Sequence, residues 1–243
     1  MVQTSGVLHH RSHLTHLGRL PPPDPRVLHY IRCAGFYCIY RLRSNFHIDD
    51  ALITALVERW RQETHTFHLT VEEATVTLQD VAVLLGLRVD VAAVTGSVAQ
   101  DWPALAQHLL GVVVPDEDGD GPRRLIRGSS INTKWLRERF SVLPNDVNDH
   151  TIQCYARAYI LLLMHCVLFA DASGSMVQML YLPLLANLEK AGQYSWGSAT
   201  LAYLYRQLCK AAKKEKNENY GPVILLQVIN LLLRYSLFNM SFP

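Results

Sequence analysis

No apolar run in this chain reaches the length of about 20 residues that a membrane-spanning helix needs. The longest, Ala158 to Ala170, is short and contains His165, so it reads as a buried core helix. Val223 to Phe238 is apolar as well, but Gln227, Asn230 and Arg234 interrupt it, which argues against a membrane tail. The first twenty residues carry polar and basic groups throughout, which excludes a secretory signal. Cysteine is scarce and odd in number: Cys33, Cys38, Cys154, Cys166 and Cys209 are scattered in apolar contexts. They are expected to be reduced and mostly buried in an intracellular protein, with no disulfide framework. Charge of either sign is in short supply too. With 23 Lys and Arg against 21 Asp and Glu, a net charge of +2 and a pI near 8.3, the chain lacks the bulk basicity of a nucleic-acid binder. Catalytic motifs are missing in turn. There is no G-x-S-x-G elbow and no G-x-x-x-x-G-K-[ST] or G-x-G-x-x-G phosphate loop, and Ser173-Gly174-Ser175 is ordinary loop sequence. No cofactor and no catalytic or metal residue is therefore nominated.

What is present is the balance of a globular domain: 243 residues, 49% hydrophobic and 18% charged. Leu52, Ile53, Leu56, Val57 and Trp60 recur at three- and four-residue spacing, which predicts an amphipathic helix from Asp49 to Arg61. Thr66 to Leu69 and Ala74 to Thr77 are short β-prone runs around a polar turn, and predict a hairpin. Thr77-Leu78-Gln79-Asp80 matches a capping box that opens a helix bearing Val81, Leu84 and Leu85, and Gly86 ends it. Further helices are predicted from Arg26 to Leu42, from Asp101-Trp102-Pro103 to Leu110, and near 131–140, 149–170, 179–190, 198–214 and 222–234. The predicted fold class is mainly α, a compact multi-helix domain with a short β-hairpin around 66–77. Pro21-Pro22-Pro23-Asp24-Pro25 is a stiff extended stretch, so residues 1–25 read as a flexible leader and proline linker and the domain runs from 26 to 243.

Five local patterns mimic sites. Asp116 to Gly121 has the acidic and glycine positions that open an EF-hand loop, but the twelfth position is Arg127 instead of a bidentate glutamate. His9, His10, His13 and His16 could hold a metal only if their segment became helical, and His29 with Cys33 and Cys38 supplies too few ligands for a four-coordinate zinc. Thr77 to Leu87 resembles the first helix and glycine turn of a helix-turn-helix, which makes a DNA-binding domain using residues 77–96 the alternative reading; the expected recognition segment, Arg88 to Gly96, carries one basic residue. Lys210, Lys213, Lys214 and Lys216 are partly offset by Glu215 and Glu218 and read as a solvated helix end.

The strings ALVERWRQETHTFHL and TVTLQDVAVLLGL resemble the signature of the plant mobile domain. The likeness continues through GSSINTKWLRERF at 128–140, RAYILLLMHCVLFAD at 157–171, YLPLLANLEKAGQYSWGSATLAYLYRQLC at 181–209 and GPVILLQ at 221–227. Departures from the family pattern are Thr70, Glu72 and Ala74 in the hairpin, and the stretch after about 227, which reads as atypical or truncated. The resemblance implies a non-catalytic nuclear protein-interaction module in transposon and gene silencing and in meristem or genome maintenance. It implies a protein partner, including a phosphatase-like nuclear protein, while the residues themselves support nucleic acid only weakly and argue against a membrane. Related sequences carry phosphatase or aminotransferase-like labels, but this chain lacks the metal-ligand clusters of metallophosphatases and the α/β frame of a pyridoxal enzyme. The residues shared with the family, as partner contacts or as family core, are Trp60, Arg61, Trp135, Arg157, Trp196 and Arg206.

Overall fold

The computed structural model describes residues 9–10, 20–42, 49–70, 72–96, 99–112, 125–170, 174–213, 218–219, 222 and 225–226. It is mainly α, as expected. In chain order the elements are β1 (His9–His10), α1 (Pro25–Cys33), α2 (Tyr37–Arg41), α3 (Asp50–Glu58), β2 (Trp60–Arg61), β3 (Thr66–His68), β4 (Glu73–Ala74), α4 (Leu78–Leu85), α5 (Trp102–Leu110), β5 (Ile126–Arg127), β6 (Ser130–Asn132), α6 (Thr133–Arg139), α7 (Asp149–Leu163), β7 (Met176–Gln178), α8 (Leu188–Ala191), α9 (Trp196–Ala212) and β8 (Glu218–Asn219).

Short polar side chains start most of these helices. Asp24, Asp49, Asp101, Asn132, Asn148 and Asn187 each accept a backbone N–H from the first turn, which satisfies donors that a helix start leaves open. The predicted capping box at α4 is formed reciprocally: Asp80 N–H donates to Thr77 Oγ1 at 3.1 Å and Thr77 N–H to Asp80 Oδ2 at 2.8 Å. Gly86 then closes the helix at φ 62, in the left-handed region. Thr77→Ala removes one side of that box and is expected to cost about 1 kcal/mol in chemical denaturation. A cost near zero would mean that packing alone holds α4 in place.

Two helices form the frame. α7 packs against α1, α5 and α6, and α9 packs against α3, α4 and β2. Eleven consecutive or near-consecutive side chains from Ile152 to Leu163 are buried, and the helix continues as a π-turn over Met164–Leu168. Asp149–Leu168 is long and apolar enough to cross a membrane by composition, yet 89% of that window is buried inside the domain, the mark of a core helix.

Several predicted boundaries are corrected. The single helix from Arg26 to Leu42 is broken at Gly35, φ 81. Phe36 N–H bonds back to Ile31 O and Gly35 N–H to Arg32 O, a Schellman stop that turns the fully buried Phe36 into the core. The helix expected to reach Arg61 ends at Glu58, because Trp60 and Arg61 pair with Phe67 and Thr66 and convert the hairpin into a three-stranded sheet. Between 179 and 190 a 3-10 turn at Leu182–Leu185, containing Pro183, precedes the short α8. A second antiparallel sheet, β5-β6-β7, was not foreseen: Ile131 pairs with Ile126 on one side and Val177 on the other.

The helix-turn-helix reading is also corrected, since Arg88 to Gly96 contains no helix. Its backbone is zipped onto the start of α9 instead. Gly197 N–H donates to Arg88 O, the Ser198 hydroxyl to Val89 O, and Ser195 N–H to Ala92 O, while Ser195 Oγ accepts from Val91 N–H and donates to Val91 O. Backbone groups used this way cannot form a recognition helix. In the leader, His9–His10 pairs in parallel with Glu218–Asn219, and Leu20 is buried. The acidic loop 116–121, His13, His16, Lys214, Lys216 and the C-terminal stretch after 226 lie outside the described residues.

Candidate functional site

The sheet β2-β3-β4 has two chemically opposite faces, as period-two side-chain alternation requires. Trp60, Phe67 and Ala74 share a register and point inward. Trp60 packs against Phe67 at 4.8 Å and Tyr205 of α9 at 5.3 Å, and its Nε1–H donates to Cys209 Sγ at 3.3 Å, which bolts the sheet to α9. Arg61, Thr66, His68 and Glu73 occupy the outer face. Glu73 accepts from the Thr66 hydroxyl at 2.9 Å and lies 3.3 Å from His68 Nδ1. The Thr66 hydroxyl first, and His68 second, hold this exposed carboxyl below its ordinary range. An exposed, fully ionised carboxylate offers charge for recognition and has little capacity to shuttle protons at neutral pH.

At the sheet's turn, His65 adopts φ 55, among the described residues the one non-glycine with a positive φ. Its ring stacks between Trp60 at 5.9 Å and Tyr205 at 5.2 Å, and its carbonyl accepts from the Thr75 hydroxyl at 2.6 Å. Tyr205 in turn donates to Val76 O at 2.6 Å. These contacts hold an exposed imidazole in a backbone conformation that costs about 1 kcal/mol or more. The sequence reading missed His65, His68, Glu73 and Thr75 as a group. Only the alternation Thr66-Phe67-His68 signalled that one side of the hairpin faces solvent.

The six family residues separate by environment. Trp60 is 4% exposed, Trp196 1% and Arg157 3%, so these three are structural. Trp196 donates from Nε1 to Ala191 O at 2.8 Å and packs against Phe36, Tyr181 and Tyr194. Trp135 is half-buried, edge-on to Phe140, while Arg61 and Arg206 are exposed. Arg157 donates to Leu185 O, Leu109 O, Ala186 O and Gln153 Oε1. Gln153 passes the connection to Asp149, which also accepts from Tyr30. The Tyr30 hydroxyl is the main reason that the Asp149 carboxyl sits low.

Cysteine chemistry is muted in the core. Burial pushes the Cys166 thiol up to about 12 and raises Cys154 as well, so both are protonated thiols at neutral pH. Cys38 is exposed, and Cys33 and Cys209 are half-buried, so the expectation of mostly buried cysteines holds fully for two of them. Cys33 Sγ meets His29 Nε2 at 3.6 Å, and among the described residues no group of three or more His, Cys, Asp or Glu is placed to hold a metal.

The family model described as plant mobile domain matches residues 35–231. Over 207 residues the chain is 48% identical to an Arabidopsis thaliana protein named serine/threonine-protein phosphatase 7 long form homolog, covering 85% of this chain and 15% of that protein. It is 36% identical over 225 residues to Arabidopsis MAIN-LIKE 2, covering 93% of this chain and 32% of the relative. It is also 36% identical over 190 residues to Arabidopsis MAINTENANCE OF MERISTEMS, covering 77% of this chain and 38% of the relative. The chain thus spans well under half the length of these relatives. No solved structure matches.

Proposed function

Because the chain belongs to the plant mobile domain family, we propose that it is a non-catalytic protein-interaction module acting in the nucleus, in transposon and gene silencing that serves meristem or genome maintenance. The observation that carries this reading is the outer face of the first sheet. Arg61, His68 and Glu73 are exposed there on strands bolted to α9 through Trp60, with the strained His65 ring beside them. A rigid surface bearing both charge signs and an aromatic edge suits docking of a folded partner, because little side-chain entropy is lost on contact. The buried members of the family set stabilise this platform. A phosphatase-like nuclear protein fits the partner class, since one relative bears a phosphatase name.

Affinity purification of the tagged full chain from nuclei, repeated with an Arg61→Ala/His68→Ala variant, tests the reading. Both side chains are exposed, so the variant should fold with stability within about 0.5 kcal/mol of the parent. Recovery of a phosphatase-like or chromatin protein is expected to fall about tenfold in the variant, the loss of one or two interface contacts. Recovery of nucleic acid alone, sensitive to salt, would overturn the reading in favour of DNA binding.

A further inference from the structure

The proline stretch is seated on the domain. Leu20 is 4% exposed, Pro21 and Pro23 are half-buried, and Pro22 between them is exposed. Beneath this strap lie Tyr155 and Tyr159 of α7 with Phe140, Ser141 and Leu143 from the connection after α6. The fit leaves a cavity of about 20 Å³, room for a single water. The Tyr159 hydroxyl donates to Pro21 O at 3.3 Å. Tyr155 is fixed by donating to Val142 O at 3.0 Å, with the Phe140 ring perpendicular to it at 4.9 Å. Downstream, Asp24 caps α1 and binds Arg26, which donates to Asn145 O at 3.2 Å.

These are the elements by which extended proline-rich segments are recognised. Proline has no N–H to offer and its chain is already stiff, so a receptor supplies flat aromatic rings for the pyrrolidines and a hydroxyl for the carbonyls. The strap meets its groove through the long Tyr159 hydrogen bond and apolar contact, and is anchored downstream by the Asp24 cap. We propose that the groove of Tyr155, Tyr159 and Phe140 is a docking site for a proline-rich extended segment of a partner protein, occupied in cis by Leu20 to Asp24 until such a segment displaces it. The inference rests on the interaction-module reading and names the chemistry of one partner. Cis occupancy competes at an effective concentration on the order of millimolar, so a partner segment binds weakly until the strap is loosened.

The test uses a fluorescein-labelled peptide of sequence LPPPDP, copied from Leu20 to Pro25, in polarisation titrations against the full chain. In a Pro21→Gly/Pro23→Gly variant, folded by circular dichroism, the peptide is expected to bind about tenfold more tightly than to the parent chain, because the cis competitor is weakened. Adding Tyr159→Phe should reduce that binding about fivefold, the worth of one hydroxyl hydrogen bond. A peptide with all prolines replaced by alanine should not bind. The proposal is overturned by absent binding to the folded strap variant, by equal binding of the alanine peptide, or by a strap variant that dimerises, which would make a second copy the occupant. Peptide failure alongside continued recovery of a protein partner through the Arg61 and His68 surface would sink this inference and leave the module reading standing.

Discussion

Arg157→Met is expected to destabilise the domain by about 3 to 5 kcal/mol, the range for removing one partner of a buried charged network. Arg157 is 3% exposed, and burial lowers the pKa of its guanidinium, with no carboxylate among the described residues in direct contact. Its donors are spent on carbonyls that no helix can satisfy: Leu109 O at the end of α5, and Leu185 O and Ala186 O where the 3-10 turn gives way to α8. Methionine fills similar volume and donates nothing, so the buried acceptors Leu109 O and Leu185 O, the part-buried Ala186 O and Gln153 lose a partner together. For a domain of this size the melting temperature should drop by about 10 °C. Arg157→Lys should recover little, because a compact ammonium cannot span the planar fan of acceptors. Urea titration of both variants gives the result, and a cost below about 1 kcal/mol for Arg157→Met would show that neighbouring groups or water replace the donors.

The second large loss is expected at Trp196→Ala, again about 3 to 5 kcal/mol. The indole is 1% exposed and lies among Phe36 at 5.4 Å, Tyr181 at 5.8 Å and Tyr194 at 6.1 Å. These rings come from the connection after α1, the turn before α8 and the start of α9, so no single element can close the gap left by truncation. Alanine also removes the shorter of two hydrogen bonds to Ala191 O, leaving the one from Tyr194 N–H at 3.3 Å. Trp196→Phe retains ring packing but not the donor, and its cost should be less than half that of alanine. Near-ultraviolet circular dichroism should report loss of the aromatic environment in the alanine variant before the helical signal falls. Equal costs for phenylalanine and alanine would place the energy in the hydrogen bond instead of the packing.

Much of the fold was legible because it is local. The stripe Ile53, Leu56 and Val57, the Thr77 and Asp80 capping box, the Gly86 stop and the Asp101-Trp102-Pro103 start all follow from spacing and backbone chemistry within a few residues, and each is in place. Boundaries failed where a distant segment competed for the same backbone groups. Trp60 left its helical stripe because Phe67 pairs with it, and Leu182 to Leu185 tightened to a 3-10 turn around Pro183, with Arg157 taking the carbonyls of Leu185 and Ala186.

By itself, then, the sequence determined the mainly α class, the capped helix starts at Asp49, Thr77 and Asp101, and the family, all of which depend on short-range periodicity and on strings read in order. The tertiary structure alone decided which family residues are surface. Trp60, Trp196 and Arg157 are drawn inside by partners far along the chain, while Arg61 and Arg206 stay exposed. It also decided that Arg88 to Ala92 is non-helical, because the open N–H groups and serine hydroxyls at the start of α9 needed acceptors and that segment supplied them. Burial and pairing are properties of segments brought together in space, and residue spacing does not encode which segments meet.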